Sequence, residues 1–169
     1  MKVFPFILSL FLSMASLSAV EIPKDITKHP ISTVNWGEAL EGDKRPQLDK
    51  EKLVGHVVVV EEFGITNQDC LARLKDLNRI AKKAERDKTK LVIVLIHRQN
   101  EQKDADILKE LERIHPSIIV RKHGWLPIYH EGMPHAAVFN PDGTMAWQDA
   151  SMGNEFGKAL KEALKLLEE

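Results

Sequence analysis

Cysteine is all but absent: the 169 residues contain one, Cys70. A single thiol excludes a disulfide within the chain, a cysteine-rich zinc site, and a dithiol redox centre built from one subunit. Excess charge of either sign is missing too. With 24 Lys and Arg against 25 Asp and Glu, the formal net charge is −1. A chain so nearly neutral has no general electrostatic pull toward nucleic acid or an anionic membrane. There is no internal repeat, low-complexity tract or domain linker. What is present, 43% hydrophobic and 29% charged residues, is the composition of an ordinary globular protein.

The first twenty residues stand apart. Lys2 precedes an uncharged, almost wholly apolar stretch from Val3 to Leu17, then come the small residues Ser18-Ala19. This order matches a secretory signal peptide over residues 1–19, with cleavage expected after Ala19; an uncleaved anchor is the alternative. The apolar stretch falls short of the roughly 20 residues a membrane helix needs, so no stable span is expected after cleavage. About 150 residues would remain, enough for one domain with a real core.

Residues 20–52 are mixed, rich in Pro, Gly and charge, with Ile31–Trp36 predicted as a short strand and Gly42-Asp43-Lys44 as a turn. Val57-Val58-Val59-Val60 and Leu91–Ile96 show no polar alternation, which suits strands covered on both faces. A helix from about Asn67 to Arg86 lies between them, making a βαβ unit. A second helix is predicted from about Lys103 to Ile114, stopped by His115-Pro116, with a short strand over Ser117–Val120. His135–Phe139 and Thr144–Trp147 flank Asn140-Pro141-Asp142-Gly143 and should form a hairpin. Phe156, Leu160, Ala163, Leu164 and Leu167 mark a last helix from about Asn154 to Leu167. The core order is β-α-β-α-β-β-α.

That order resembles the thioredoxin fold, and two separated segments strengthen the resemblance. Leu53-Val54-Gly55-His56-Val57-Val58-Val59-Val60-Glu61-Glu62-Phe63-Gly64 is similar to the strand leading into the active site of secreted thioredoxin-like (redoxin) proteins. Gly132-Met133-Pro134-His135 onward to Gly143 is similar to their cis-proline strand and the turn after it. The resemblance covers roughly Leu53 to Leu167 and implies an α/β domain over residues 53–169. It also implies action on protein or peptide thiols and disulfides in a secreted or periplasmic setting, with no cofactor.

The family's Cys-x-x-Cys motif is altered. The matching stretch is Asn67-Gln68-Asp69-Cys70, so Asn67 stands at the attacking cysteine and only the resolving one remains. Glu61 falls where thioredoxins keep a buried proton-shuttling acid, and Phe63 where they keep an aromatic. From its own spacing, Cys70 begins the stripe Cys70, Leu74, Leu77, Ala81, Ala84 on one helix face. A buried thiol there is inert, although the helix N-terminus pulls toward thiolate. Asn67 or Thr66 can cap the helix, and Thr66-x-x-Asp69 resembles a capping box.

Three readings of Cys70 stay open: a core thiol, a partner-dependent thiol that forms mixed disulfides, and a one-cysteine peroxidase. Against the last, Phe63 and Asn67 stand where the peroxiredoxin motif Pro-x-x-x-Thr-x-x-Cys has Pro and Thr. Glu61 is either a buried acid with raised pKa or an outward residue where its strand ends. The resemblance implies a cis bond before Pro134 that exposes the Met133 backbone to an extended peptide; the alternative is a trans proline opening an edge strand. The seven histidines form no i, i+4 helical pair and no His-Glu-x-x-His, so no metal site is expected. His135 could face Cys70, but the chain has no second cysteine to complete a copper-chaperone-like site. Two function classes follow. One is an exported redox protein with Cys70 as its catalytic residue; the other is a non-catalytic binding module using Asn67, Met133 and Pro134. Oligomeric state stays open.

Overall fold

The computed structural model describes residues 29–99, 101–128, 130 and 132–168; the signal segment expected at residues 1–19 lies outside them. The elements are β1 (Glu38–Ala39), β2 (Val57–Phe63), α1 (Gln68–Arg86), β3 (Leu91–His97), α2 (Asp104–Glu110), β4 (Ile119–Lys122), β5 (His135–Phe139), β6 (Met145–Ala150) and α3 (Asn154–Lys165). From β2 onward the order is β-α-β-α-β-β-β-α, one strand more than the expected β-α-β-α-β-β-α, because the short strand β4 stands before the hairpin. One six-stranded sheet runs β1-β4-β3-β2-β5-β6. The two β-branched strands are neighbours: β2 pairs parallel with β3, Val57 opposite Leu91, and antiparallel with β5. A strand between two partners and covered on both faces has no polar side, and all seven residues of β2 are buried.

The pleat divides the core in two, because successive side chains leave opposite faces. Val57, Val59 and Phe63 meet Cys70, Leu74, Leu77 and Ala81 of α1, Ile107 of α2, and Phe156, Leu160 and Ala163 of α3. Val58 and Val60 point the other way, where Val34, Trp36, Leu53, Leu126 and Phe139 cover them. The N-terminal segment thus supplies the second cover of the sheet.

That segment is not the strand expected at Ile31–Trp36. Residues Ile31–Thr33 form a 3-10 turn, Asn35 makes a single bridge to Trp125, and the strand is the two-residue β1, paired with β4. The reason is geometric. Gly37 has φ +58°, and a Cβ on Gly37 or Gly124 would collide with the facing backbone, so the antiparallel pairing is interrupted at this close approach, between the Asn35 bridge and β1. The second helix also ends earlier than expected, at Glu110, and irregular turns carry the chain to His115-Pro116. The hairpin forms as expected, with a bulge between Val138 and Phe139.

Leu77 is fully buried between α1 and the sheet. Leu77→Ala should cost about 3 kcal/mol through lost burial and the cavity left behind; the shift of the urea denaturation midpoint at unchanged slope measures it.

Candidate functional site

Helix α1 follows β2 after a short turn, so its N-terminus stands at the end of the central strand. The residue that shapes this end is Asn67. It is the N-cap, in extended conformation, and its Oδ1 accepts from the backbone N–H of Asp69 at 2.9 Å and of Cys70 at 3.2 Å. Its Nδ2 donates to the Met133 carbonyl at 3.0 Å. One amide therefore satisfies two orphan donors of the helix and ties the helix to the segment before Pro134. Thr66 is not the cap suggested by the Thr66-x-x-Asp69 pattern. Its hydroxyl and its N–H both bond Gln99, which follows β3.

The Met133-Pro134 bond is cis, as the resemblance implied. Met133 packs against the same cluster that contains Cys70. Asn67, Met133 and Cys70, expected together from sequence, are thus brought together, with Pro134 next in the chain. Cys70 itself is 1% exposed. Burial raises its thiol pKa, the nearby charges of Glu61 and Asp69 add to the rise, and backbone groups of Gly64 and Cys70 oppose it. A protonated sulfur beneath the surface is a poor nucleophile.

Below it lies Glu61, buried rather than outward. Desolvation pushes its pKa from 4.5 up to about 7, against the pull of Arg73. Arg73 donates from Nε to Glu61 Oε2 at 3.2 Å and lies 4.0 Å from the centre of the Phe156 ring. Arg73 is one turn beyond Cys70, so it shares the inward face of α1; that i, i+3 spacing was its signal in the sequence.

The next residue, Glu62, was passed over in the sequence although the doubly covered strand implied it: if Glu61 faces one side, Glu62 must be buried on the other. It is 0% exposed. Its carboxylate accepts from Leu126 N–H at 2.5 Å and meets His130 Nε2 at 2.6 Å and Arg98 Nε at 3.5 Å. His135 belongs to this face too. It does not face Cys70; it stacks on His130 and bonds Gln148 Oε1 at 2.6 Å. The physical reason is register, since His135 pairs with Glu62 and shares its side of the sheet. Among the described residues, no three His, Cys, Asp or Glu side chains are placed to hold a metal ion.

Beside the helix start runs a groove of about 460 Å³, walled by residues that include Asp69, Met133, Pro134, Gln148, Asp149 and Met152. Among the described residues it is lined by two carboxylates and by His130 and His135, with no Lys or Arg.

No protein-family model matches the chain, and no curated protein matches it. Solved structures do. The thioredoxin domain of a thiol-disulfide oxidoreductase from Bacteroides vulgatus superposes with a TM-score of 0.57 at 13% identity, over 82% of this chain and 97% of that one. A thiol-disulfide isomerase from Corynebacterium glutamicum gives 0.55 at 17% identity, over 79% and 94%. A secreted Mycobacterium tuberculosis disulfide oxidoreductase gives 0.55 at 14% identity, over 68% and 87%. The fold is therefore thioredoxin-like, and these proteins of that fold are thiol-disulfide enzymes by name. In this chain, Asn67-Gln68-Asp69-Cys70 stands where the resemblance puts the two-cysteine motif.

The raised pKa of Glu61 fixes a pH dependence. Between about 4.5 and 7 the native chain keeps a proton that the unfolded chain has released, so stability falls as pH rises through that window. The slope from this group is at most about 1.4 kcal/mol per pH unit. Glu61→Gln should flatten it, while lowering stability overall because Arg73 is left buried without its partner. Urea titrations at a series of pH values measure both effects.

Proposed function

We propose that this chain is an exported thioredoxin-fold binding module that holds an extended protein segment in the groove beside Met133-Pro134 and carries out no disulfide exchange of its own. The observation that carries it is the side chain of Asn67. At the position of the attacking thiol it caps α1 and bonds Met133, so the helix start and groove wall are kept in register without sulfur chemistry. The buried, protonated state of Cys70 supports the same reading. Among the described lining residues, Asp69 and Asp149 stand with His130 and His135 but with no Lys or Arg, which favours a neutral or basic segment over an acidic one. Export rests on Lys2, the apolar stretch Val3–Leu17 and Ser18-Ala19, and it accords with the secreted oxidoreductase among the similar structures. No described helix is long and apolar enough to cross a membrane.

A second reading, a redox protein acting on protein thiols through Cys70, is favoured by Glu61, whose buried carboxyl with pKa near 7 lies within electrostatic reach of the thiol. Thiol labelling separates the two. For a binding module, Cys70 in the native chain at neutral pH should react at least about 100-fold more slowly than in denaturant, because burial both blocks access and suppresses thiolate. Labelling at similar rates in both conditions would favour the redox reading.

Binding and chemistry can be tested together. Carboxymethylated insulin B chain, an unfolded peptide without free thiols, should shift the amide resonances around Met133, Gln148 and Met152. The wild type should reduce insulin disulfides no faster than the uncatalysed background. Asn67→Cys should restore a pair of cysteines three apart, with Cα atoms about 5.5 Å from each other, and should form an intramolecular disulfide. Some insulin reduction should appear with it, at about 1 kcal/mol of stability for the lost cap. Strong reductase activity in the wild type would sink the binding-module reading.

A further inference from the structure

At the far end of α1, about 22 Å along its axis from Cys70, three side chains unused by the proposed function form a hydrogen-bonded chain. His115-Pro116-Ser117-Ile118 is a β-turn with proline in its second position, closed by the Ile118 N–H on the His115 carbonyl at 3.0 Å. The turn folds Ser117 back onto the His115 ring. Ser117 Oγ lies 2.8 Å from His115 Nδ1, and the Ser117 N–H donates to the same nitrogen at 3.4 Å. On the other side of the ring, Nε2 lies 3.1 Å from Glu85 Oε2. A backbone N–H only donates and a carboxylate oxygen accepts, so Nδ1 presents its lone pair and Nε2 carries the ring proton. The hydroxyl therefore donates to the ring, and the ring donates to the carboxylate. This is the proton order of a serine nucleophile with its general base, with the two ring nitrogens exchanged relative to serine proteases. His115 is 7% exposed, so the ring is fixed by its surroundings, whereas Ser117 is exposed and open to a substrate.

Two hollows meet at Ser117 and Glu85. One, of about 180 Å³, is walled mainly by Ala81, Ala84, Leu91 and Ile93. It is smaller than the roughly 300 Å³ at which pockets for drug-sized ligands begin, so it suits a short apolar group. The other, of about 480 Å³, has Lys44 and Arg45 on its wall, together with Asp43, to which Arg45 Nε donates at 2.8 Å. Arg45 Nη1 is buried without an acceptor among the described residues, which leaves one donor for an oxygen that gains negative charge. We propose that Ser117, His115 and Glu85 form a hydrolytic site for esters of short aliphatic acids, with the acyl chain in the small apolar hollow and the alcohol portion in the polar one. His115 Nδ1 takes the hydroxyl proton as Ser117 Oγ bonds to the acyl carbon. The ester C–O bond breaks, and the leaving alcohol collects that proton. Water then gives a proton to Nδ1 as its oxygen bonds to the acyl carbon. The Oγ–carbon bond breaks, Ser117 regains the proton, and the acid leaves. Positive charge from Lys44 and Arg45 favours the acyl oxygen that turns negative in each half. Glu85 positions the ring; its side chain is 69% exposed, so its effect is small.

The test uses the full chain and leaves the groove beside Pro134 untouched, so this site and peptide binding succeed or fail separately. A fluorophosphonate probe, whose phosphorus takes the serine oxygen as fluoride leaves, should modify Ser117 faster in the native protein than in denaturant. The difference should be at least the roughly 100-fold that a positioned base supplies, with mass spectrometry locating the adduct. No adduct at Ser117, or equal rates in both states, overturns the proposal. Hydrolysis of p-nitrophenyl butyrate should fall about tenfold or more in Ser117→Ala, and an unchanged rate overturns the proposal as well. Ala84→Leu fills the apolar hollow and should lower the ratio of butyrate to acetate hydrolysis about tenfold; an unchanged ratio overturns the acyl assignment. Glu85→Gln should lower kcat about threefold with KM unchanged, and an unaltered kcat overturns its positioning role. If a variant does not fold, the probe reaction of the wild type still decides.

Discussion

Two consecutive carboxylates end a strand that is covered on both faces, and much of the site's architecture follows from neutralising them. In β2 the pleat sends Glu61 toward the helices and Glu62 toward the N-terminal cover, and neither reaches water. An isolated buried carboxylate costs several kcal/mol, so each must acquire a partner, a proton, or both. Glu61 takes Arg73 and a raised pKa. Glu62 takes a backbone N–H, an arginine and a histidine. The two solutions place a polar group under the start of α1 on one side, and fix the segment leading to Pro134 on the other.

Between them sits Asn67. An N-cap needs only a short acceptor, which Ser, Thr or Asp would also supply. Asn adds a donor, and that donor crosses to Met133. The position thus keeps what a thioredoxin-like helix start needs mechanically, a capped N-terminus held against the proline segment, without an ionisable sulfur. Cys70, three residues on, is left as part of the apolar stripe of α1, with its thiolate disfavoured by burial and by two neighbouring acids.

The β-branched runs at Val57 and Leu91, the stripe beginning at Cys70, the Pro-Asp-Gly turn and the last amphipathic helix were all legible in the sequence. Each is a local pattern whose period or turn chemistry depends on residues a few positions apart. Their order was enough to resemble one fold, and the altered motif at Asn67–Cys70 was visible as soon as that fold was in view. Ile31–Trp36 read as a strand for its β-branched residues, but β-propensity reflects packing on a sheet, and here Ile31–Thr33 turns as a 3-10 segment and only Asn35 pairs, with Trp125. The end of α2 was likewise set by the turns that follow it.

Tertiary structure alone decided which polar groups meet. Asn67 and Met133 are 66 residues apart, and His130 and Glu62 are 68 apart; no local pattern links them. That Glu61 and Glu62 face opposite sides follows from the pleat and was available from sequence. That one would find Arg73 and the other His130 was not, because it depends on which loop the fold lays over each face. The sequence by itself determined the central strands, the helix faces and the presence of a single thiol at the start of α1. The partners of the buried charges, and the bond that holds the groove wall to the helix, were decided when distant segments were packed against one central strand.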